Sequence, residues 1–104
     1  RMDQKICALI SDIGYSGRLT TVKRHDVKPV KYPEMFSGPI IIIDTSSVYP
    51  FCEKNPFNSK SNMTHALIAR NIMRRFSELP NSGNIGFCAP FRAQVKLMKK
   101  ISLK

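Results

Sequence analysis

The segment around Pro90 constrains the fold of this chain more than any other. An apolar run over 85–89 ends abruptly at this proline, and Arg92 and Gln94 follow at once. An amphipathic pattern then begins. This order predicts a buried strand over 84–89 and a helix over 91–103. Because open α/β sheets place their ligands beyond the carboxyl ends of the strands, the polar side chains at this strand end predict a ligand-facing edge.

A second apolar run predicts a neighbouring strand over 39–45. Four consecutive isoleucines stand at 40–43, and an apolar run without alternation is typical of a strand covered on both faces, as in a parallel sheet. A helix is predicted over 62–79, with Ser61 or Asn62 as its N-cap. Strand, helix, strand and helix in this order predict an α/β fold with a parallel βαβ core and flanking helices.

The first part of the chain is expected to form a helix over 4–13. Asp3 is its expected N-cap and Gly14 its expected end. The face expected to be buried is an apolar stripe at helical spacing, formed by Ile6, Leu9, Ile10 and Ile13. Residues 22–38 are basic, contain prolines and have no sustained period, which predicts a long irregular excursion.

The formal net charge of +10 is large for 104 residues. Eleven of the 17 Lys and Arg residues fall into three basic stretches, within 23–31, 70–75 and 96–104. Such surfaces bind polyanions without sequence preference, because binding releases counterions. The alternative interpretation is a solvated lysine-rich face that only keeps the chain in solution.

The cysteines and the apolar runs indicate where the protein resides. Cys7, Cys52 and Cys88 are widely spaced and odd in number, which favours reduced, buried thiols and a reducing compartment over disulfides or a zinc site. No secretory signal pattern and no run long enough to span a membrane is visible. We expect a protein of the cytoplasm, or of the nucleoid or nucleus, that is not secreted and has no membrane partner.

The motifs of familiar catalytic sites are missing from the sequence. It contains no G-x-x-x-x-G-K-[S/T] loop to hold a triphosphate, no paired acidic residues for magnesium, no H-E-x-x-H and no C-x-x-C. We therefore expect no catalytic residue, no metal site and no bound cofactor in the chain by itself.

Several short segments resemble the motifs of one helicase group, in the same order. Residues 1–3 resemble its Y-R-M-H-P motif, and residues 14–19 resemble F-Y-x-G-x-L. Residues 41–45 resemble V-x-F-I-D-T, residues 59–66 resemble S-x-S-N-x-x-E-A, and residues 85–95 resemble IGIITPYRAQV. Over nearly its whole length the chain is similar to superfamily 1 helicases of the group that includes senataxin and the nonsense-mediated-decay helicase.

The resemblance implies a fold and a parent activity. It implies the first half of the second RecA-like domain, of the P-loop NTPase type, in an ATP-dependent helicase. ATP and Mg²⁺ would then be cofactors of the parent protein, and the first RecA-like domain would be a partner. The chain departs from the family pattern at Asp3, His65 and Ala89, where the family usually has His, Glu and Thr. These departures affect local contacts rather than the fold.

The resemblance also implies roles for individual residues. Arg1 matches the arginine that reaches the nucleotide phosphates across the cleft between the motor domains, where a permanently charged guanidinium is suited to transferring phosphoryl oxygens. The residues that match the motif on the nucleic-acid side are Pro90, Phe91, Arg92 and Gln94. Thr45 and Ser46, at the end of the other predicted strand, can line the same surface. In the alternative interpretation, Arg1 is a solvated terminal residue, and the segment 90–94 is an ordinary strand-to-helix cap with a solvated arginine. Thr45 and Ser46 would then bond only their own loop.

Two further functions are compatible with the sequence. A stand-alone basic nucleic-acid-binding module would bind single-stranded DNA or RNA without ATP. A protein-interaction domain would use its basic faces for solubility only, and it would self-associate through exposed strand edges. We take the helicase segment as the primary hypothesis.

The missing triphosphate loop generates the first prediction. Purified residues 1–104 should hydrolyse ATP no faster than background, with or without single-stranded nucleic acid, because nothing in the sequence cradles the phosphates. A coupled phosphate-release assay measures this. A reproducible turnover stimulated by nucleic acid would contradict the assignment of the chain as a motor segment.

Overall fold

The computed structural model describes residues 2–22, 32–80 and 83–102. These residues form three α-helices, one short 3₁₀ turn and a two-stranded antiparallel sheet, so the chain is mixed α/β. The chain divides into two compact units, residues 1–42 and residues 43–104. The basic stretch within 23–31, like Arg1 and Lys104, lies outside the described residues.

The first unit is built around helix α1, Gln4–Gly14. The carboxylate of Asp3 caps it by accepting the backbone N–H of Lys5 at 2.8 Å, as the sequence predicted. Beyond its C-terminus the chain turns back through Gly17, whose φ of +75° favours glycine. The returning segment then runs beside the helix, and the hydroxyl of Thr21 donates to the carbonyl of Met2 at 2.9 Å.

The face of α1 that is buried differs from the predicted one. Its buried residues are Cys7 and Ser11, whereas the predicted stripe is largely exposed, with Ile13 exposed to 78%. The hydroxyl of Ser11 accepts the backbone N–H of Leu19 at 2.9 Å, and the thiol of Cys7 donates weakly to the carbonyl of Leu19 at 3.7 Å. Hydrogen bonds to the returning backbone therefore decide which face is covered, and the apolar stripe remains at the surface.

The described residues of the second unit form four elements besides the 3₁₀ turn Ser46–Val48. They are strand β1 Glu53–Lys54, strand β2 Lys60–Ser61, helix α2 Met63–Ser77 and helix α3 Arg92–Ser102. The two strands pair antiparallel, the two helices pack on each other, and α3 also packs on β2. The small core of this unit contains Ala66, which has no exposed surface, and Met98, which is 3% exposed.

The parallel βαβ core predicted from the sequence does not form among the described residues. Neither 39–45 nor 84–89 is a strand; the sheet pairs Glu53 with Ser61 and Lys54 with Lys60. A strand exists only where a neighbouring strand pairs its backbone groups, and in the described part of the chain these two segments have no such neighbour. Ile42 is 91% exposed, so the isoleucine run is uncovered rather than enclosed between layers.

The cysteines also differ in part from the prediction. All three are free, but only Cys7 is buried, while Cys52 and Cys88 are exposed. Cys88 lies in the segment predicted as a buried strand, and it is exposed because no sheet formed by residues 2–22, 32–80 or 83–102 covers that segment. Cys52 immediately precedes the exposed strand β1.

The role of Ser11 generates a prediction about the stability of the first unit. Ser11→Ala should lower the free energy of unfolding of the first unit by about 1–2 kcal/mol, because the partly buried N–H of Leu19 loses its acceptor. Hydrogen exchange at the Leu19 amide should become faster, and urea denaturation measures the free energy. The control is Asp12→Ala, an exposed substitution on the same helix, which should change stability by about 0.5 kcal/mol or less. Equal effects of the two substitutions would contradict this role.

Candidate nucleic-acid interface

The start of helix α3 is tied to the start of helix α2 by one side-chain amide. The backbone N–H of Asn62 donates to Oε1 of Gln94 at 2.6 Å, and Nε2 of Gln94 donates to the carbonyl of Asn62 at 3.1 Å. An amide side chain has the same donor and acceptor as a peptide group. Gln94 therefore continues the backbone pairing of β2 at the point where that strand ends, across 32 positions of sequence.

The N-termini of both helices converge on this place. The hydroxyl of Ser59 accepts the backbone N–H of Ala93 at 3.0 Å and so caps α3 from 34 positions away. The side chain of Asn62 accepts the N–H of His65 at 3.0 Å and caps α2, as the sequence predicted. Because a helix N-terminus carries a partial positive charge, two of them side by side favour an anionic ligand.

A groove of about 440 Å³ opens between these two helix starts. One wall is mostly apolar and comes from the segment that leads into α3: Phe87, Cys88, Ala89, Pro90 and Phe91. The other wall comes from the β1–β2 hairpin and the start of α2: Cys52, Lys60, Ser61, Asn62 and His65, with Gln94 at the junction.

Lys60 and Phe91 form a cation–π contact at the groove. The ammonium nitrogen of Lys60 lies 5.7 Å from the centre of the Phe91 ring, and both side chains are exposed. At this distance the ring face attracts the cation and holds it beside the apolar wall. The groove thus combines an aromatic ring, a positive charge and two helix N-termini.

The loop at 44–46 reaches the groove through one contact. The hydroxyl of Thr45 and Nε2 of His65 lie 2.8 Å apart. The backbone N–H of Ser46 donates to the carboxylate of Asp44 at 2.9 Å, and this bond, followed by one from the Ser46 side chain, holds the pKa of Asp44 below its usual value. The N–H of Ser46 is thus used within the loop itself. Thr45 is the residue of this loop that contacts a groove residue, His65.

The structure brings some of the predicted site residues together and leaves others apart. Pro90, Phe91 and Gln94 line the groove, whereas Arg92 begins α3 as an exposed side chain outside the groove lining. The amide of Gln94 is engaged with the Asn62 backbone, so its direct role is to position the groove walls. Arg1 lies outside the described residues.

Eight groove residues were not identified from the sequence as site residues. They are Cys52, Lys60, Ser61, Asn62, His65, Phe87, Cys88 and Ala89. A usable signal existed for the hairpin: Asn55 precedes a proline, and its side chain accepts the N–H groups of Phe57 and Ser59, at 3.0 and 2.9 Å. A hairpin predicted at this point would have placed Lys60 beside the start of α2.

The described residues offer neither a metal-binding cluster nor a membrane-spanning helix. Within 2–22, 32–80 and 83–102, no three His, Cys, Asp or Glu side chains are grouped closely enough to hold a metal ion. In the same part of the chain, no helix has both the length and the hydropathy needed to cross a membrane.

Comparison with protein families gives a match over nearly the whole chain. A protein-family model described as an AAA domain, AAA_12, matches residues 1–103. Comparison with curated proteins and with solved structures found no match.

The amide bridge generates a prediction about the second unit. Gln94→Ala should lower its free energy of unfolding by about 1–3 kcal/mol, because the N–H and carbonyl of Asn62 both lose their partner in a partly buried place. The measurement is urea denaturation followed by circular dichroism. Gln4→Ala, at an exposed glutamine in the first turn of α1, is the matched control and should be nearly neutral. A neutral Gln94→Ala would mean that the bridge does not hold the two helices together.

Proposed function

The chain belongs to the AAA domain family that forms the C-terminal region of superfamily 1 helicases, and on that premise we propose that it is a segment of the second RecA-like domain of an ATP-dependent helicase motor. The family consists of ATP-dependent helicases, which implies a nucleic-acid substrate. In the proposed motor, this segment holds the backbone of a single strand of DNA or RNA while the two RecA-like domains close and reopen around ATP.

One observation supports this proposal most strongly. The segment at 59–62 and the segment at 90–94 are joined by hydrogen bonds at the mouth of one groove. Both segments resemble helicase motifs, although about 30 residues separate them in the chain. At their junction lie two helix N-termini and the ammonium group of Lys60, which together favour a phosphate.

The proposed roles follow from the contacts. Arg92, exposed at the first position of α3, contacts a backbone phosphate. Phe91, with Lys60 above its ring, offers a face on which a base can stack. Pro90 lines the apolar wall of the groove just before α3 begins. Gln94 fixes the two walls relative to each other.

Two further residues support the interface from the neighbouring loop. Thr45 acts through His65, whose ring it contacts at 2.8 Å. Ser46 stabilises the turn that begins at Asp44. The negative charge of Asp44 repels phosphate from this loop, and the hydrogen bonds from Ser46 lower the pKa of its carboxyl.

ATP and Mg²⁺ are used by helicases of this family, and the described residues do not fit a site for them. They contain no group of acidic side chains that could hold Mg²⁺, and the sequence has no phosphate-binding loop. The contribution of this segment to the ATP cleft therefore rests on Arg1, for which we propose the phosphate contact implied by the family motif.

The proposal generates a prediction for Arg92→Ala. Binding of single strands by residues 1–104 should weaken alike for all sequences, because a phosphate contact carries no base information. The dependence of log affinity on log salt should flatten by about 0.7 to 1, the release of one counterion. In the complete helicase the substitution should slow unwinding more than basal ATP hydrolysis.

Two variants accompany this test. Arg92→Lys keeps the charge and should retain most of the binding. Arg75→Ala removes an exposed arginine from the opposite end of α2 and should leave unwinding unchanged. If Arg92→Ala binds strands normally with an unchanged salt dependence, Arg92 is part of a structural cap and the proposed contact is wrong.

A further inference from the structure

Helix α3 carries all of its charged residues on one face. They are four cations, Arg92, Lys96, Lys99 and Lys100, and the helix contains no acidic residue. Their spacing of i, i+4, i+7 and i+8 repeats with the helical period, so they form one row along the helix. All four side chains are exposed. With a rise of about 1.5 Å per residue, the row is about 12 Å long. We call this row the α3 basic stripe.

The position of the α3 basic stripe is not explained by the stability of the helix. Cations near a helix C-terminus are stabilising, which accounts for Lys99 and Lys100. The same principle makes Arg92 unfavourable, because it is the first residue of the helix, and it gives Lys96 in the middle no advantage. Arg92, exposed at the helix N-terminus, is therefore better placed to bind an anion outside the helix than to stabilise the helix.

The opposite face of α3 is already occupied. Met98 is 3% exposed and Val95 and Ile101 are half-buried, because the helix packs on α2 and β2. A helix that lies on a membrane surface must insert a free apolar face among the lipids. Since α3 has none to offer, a polyanion in aqueous solution fits the stripe and an anionic membrane does not.

The stripe begins where the groove ends. Arg92 directly follows Phe91, the aromatic residue that lines the groove beneath Lys60. An aromatic face beside a row of cations is the combination that binds unpaired nucleic-acid strands, because bases stack while the phosphates pair with the cations. A duplex keeps its bases stacked on each other and would not fill the groove.

We propose that the α3 basic stripe is a track for the phosphates of a single strand, which leaves the groove at Phe91 and runs along the helix toward Lys100. A base lies in the groove against Phe91, and the phosphates that follow it contact Lys96, Lys99 and Lys100. This inference deepens the proposed function and rests on it for the class of ligand. It adds three contact residues that the family motifs do not include.

The test compares two variants that lose the same charge. The first is K96Q/K99Q/K100Q, which removes the stripe but keeps Arg92. The second is K5Q/K54Q/R75Q, which removes three exposed cations from α1, β1 and α2. Fluorescence anisotropy of a labelled oligothymidylate with residues 1–104 measures affinity over a series of salt concentrations. Circular dichroism verifies that the helices remain formed in both variants.

The stripe variant should lose about two units of the salt slope, since three single-strand contacts release about 0.7 counterions each. Its affinity at low salt should fall by roughly tenfold or more, and the control variant should keep most of its slope. K96R/K99R/K100R should bind like the original chain. Equal losses in the two charge-matched variants would show that net charge alone governs binding, and they would overturn the proposal, as would an unaffected stripe variant.

A second measurement examines the base in the groove. The original chain should bind oligothymidylate roughly fivefold or more tightly than an abasic oligomer of equal length, since stacking one base contributes about 1–3 kcal/mol. The variant Phe91→Ala should lose this preference. No preference in the original chain would overturn the placement of a base in the groove.

The same variants distinguish a failure of the proposed track from a failure of the proposed function. If the stripe variant loses binding to phosphatidylserine vesicles but not to single strands, the partner is a membrane and the track is wrong. If Arg92→Ala is neutral while the stripe variant loses strand binding, the proposed Arg92 contact fails and the track stands. If Arg92→Ala weakens binding and the stripe variant does not, the proposed function stands without the track.

Discussion

The second unit depends on the pair of hydrogen bonds between Gln94 and the backbone of Asn62. Strand β2 is only two residues long, too short to fix the entry of a helix by itself. The glutamine amide pairs with the backbone of Asn62 as a peptide group of a neighbouring strand would. It thereby holds the chain at the point where β2 ends and α2 begins. Because Ser59 caps α3 from the same hairpin, one small polar junction sets the positions of both helix N-termini. The groove is a consequence of this junction.

The electrostatic properties of the unit follow from that geometry. Two helix N-termini point to one place, and the cations near it, Lys60 and Arg92, add to their partial charges instead of compensating them. Such an arrangement lowers the stability of the folded chain slightly in the absence of an anion. It is stabilised when a phosphate arrives, because the positive charges then have a partner. Anion binding and local stability should therefore be linked at this end of the unit.

Local sequence patterns predicted the helices well. The same kind of pattern predicted the sheet poorly, because strand pairing depends on contacts between distant segments. Asp3 and Asn62 cap the first two helices through bonds to residues two and three positions away, so the sequence window contains the cause. The predicted strands needed partners from elsewhere in the chain. An apolar run such as 40–43 indicates a preference for an extended conformation. The run does not indicate which other segment of the chain would pair with it. The contacts of Gln94 and Ser59 span 32 and 34 positions, so no local pattern in the sequence could indicate them.

The four exposed isoleucines at 40–43 have a consequence for how the chain behaves in concentrated solution. Consecutive β-branched residues without a charge among them are the composition from which chains stack into cross-β assemblies. Pro39 stands at one end of this run and Asp44 at the other, and both residue types oppose such stacking. The net charge of +10 adds repulsion between chains. Salt screens that repulsion, so the tendency of separate molecules to aggregate through this run should grow as ionic strength rises.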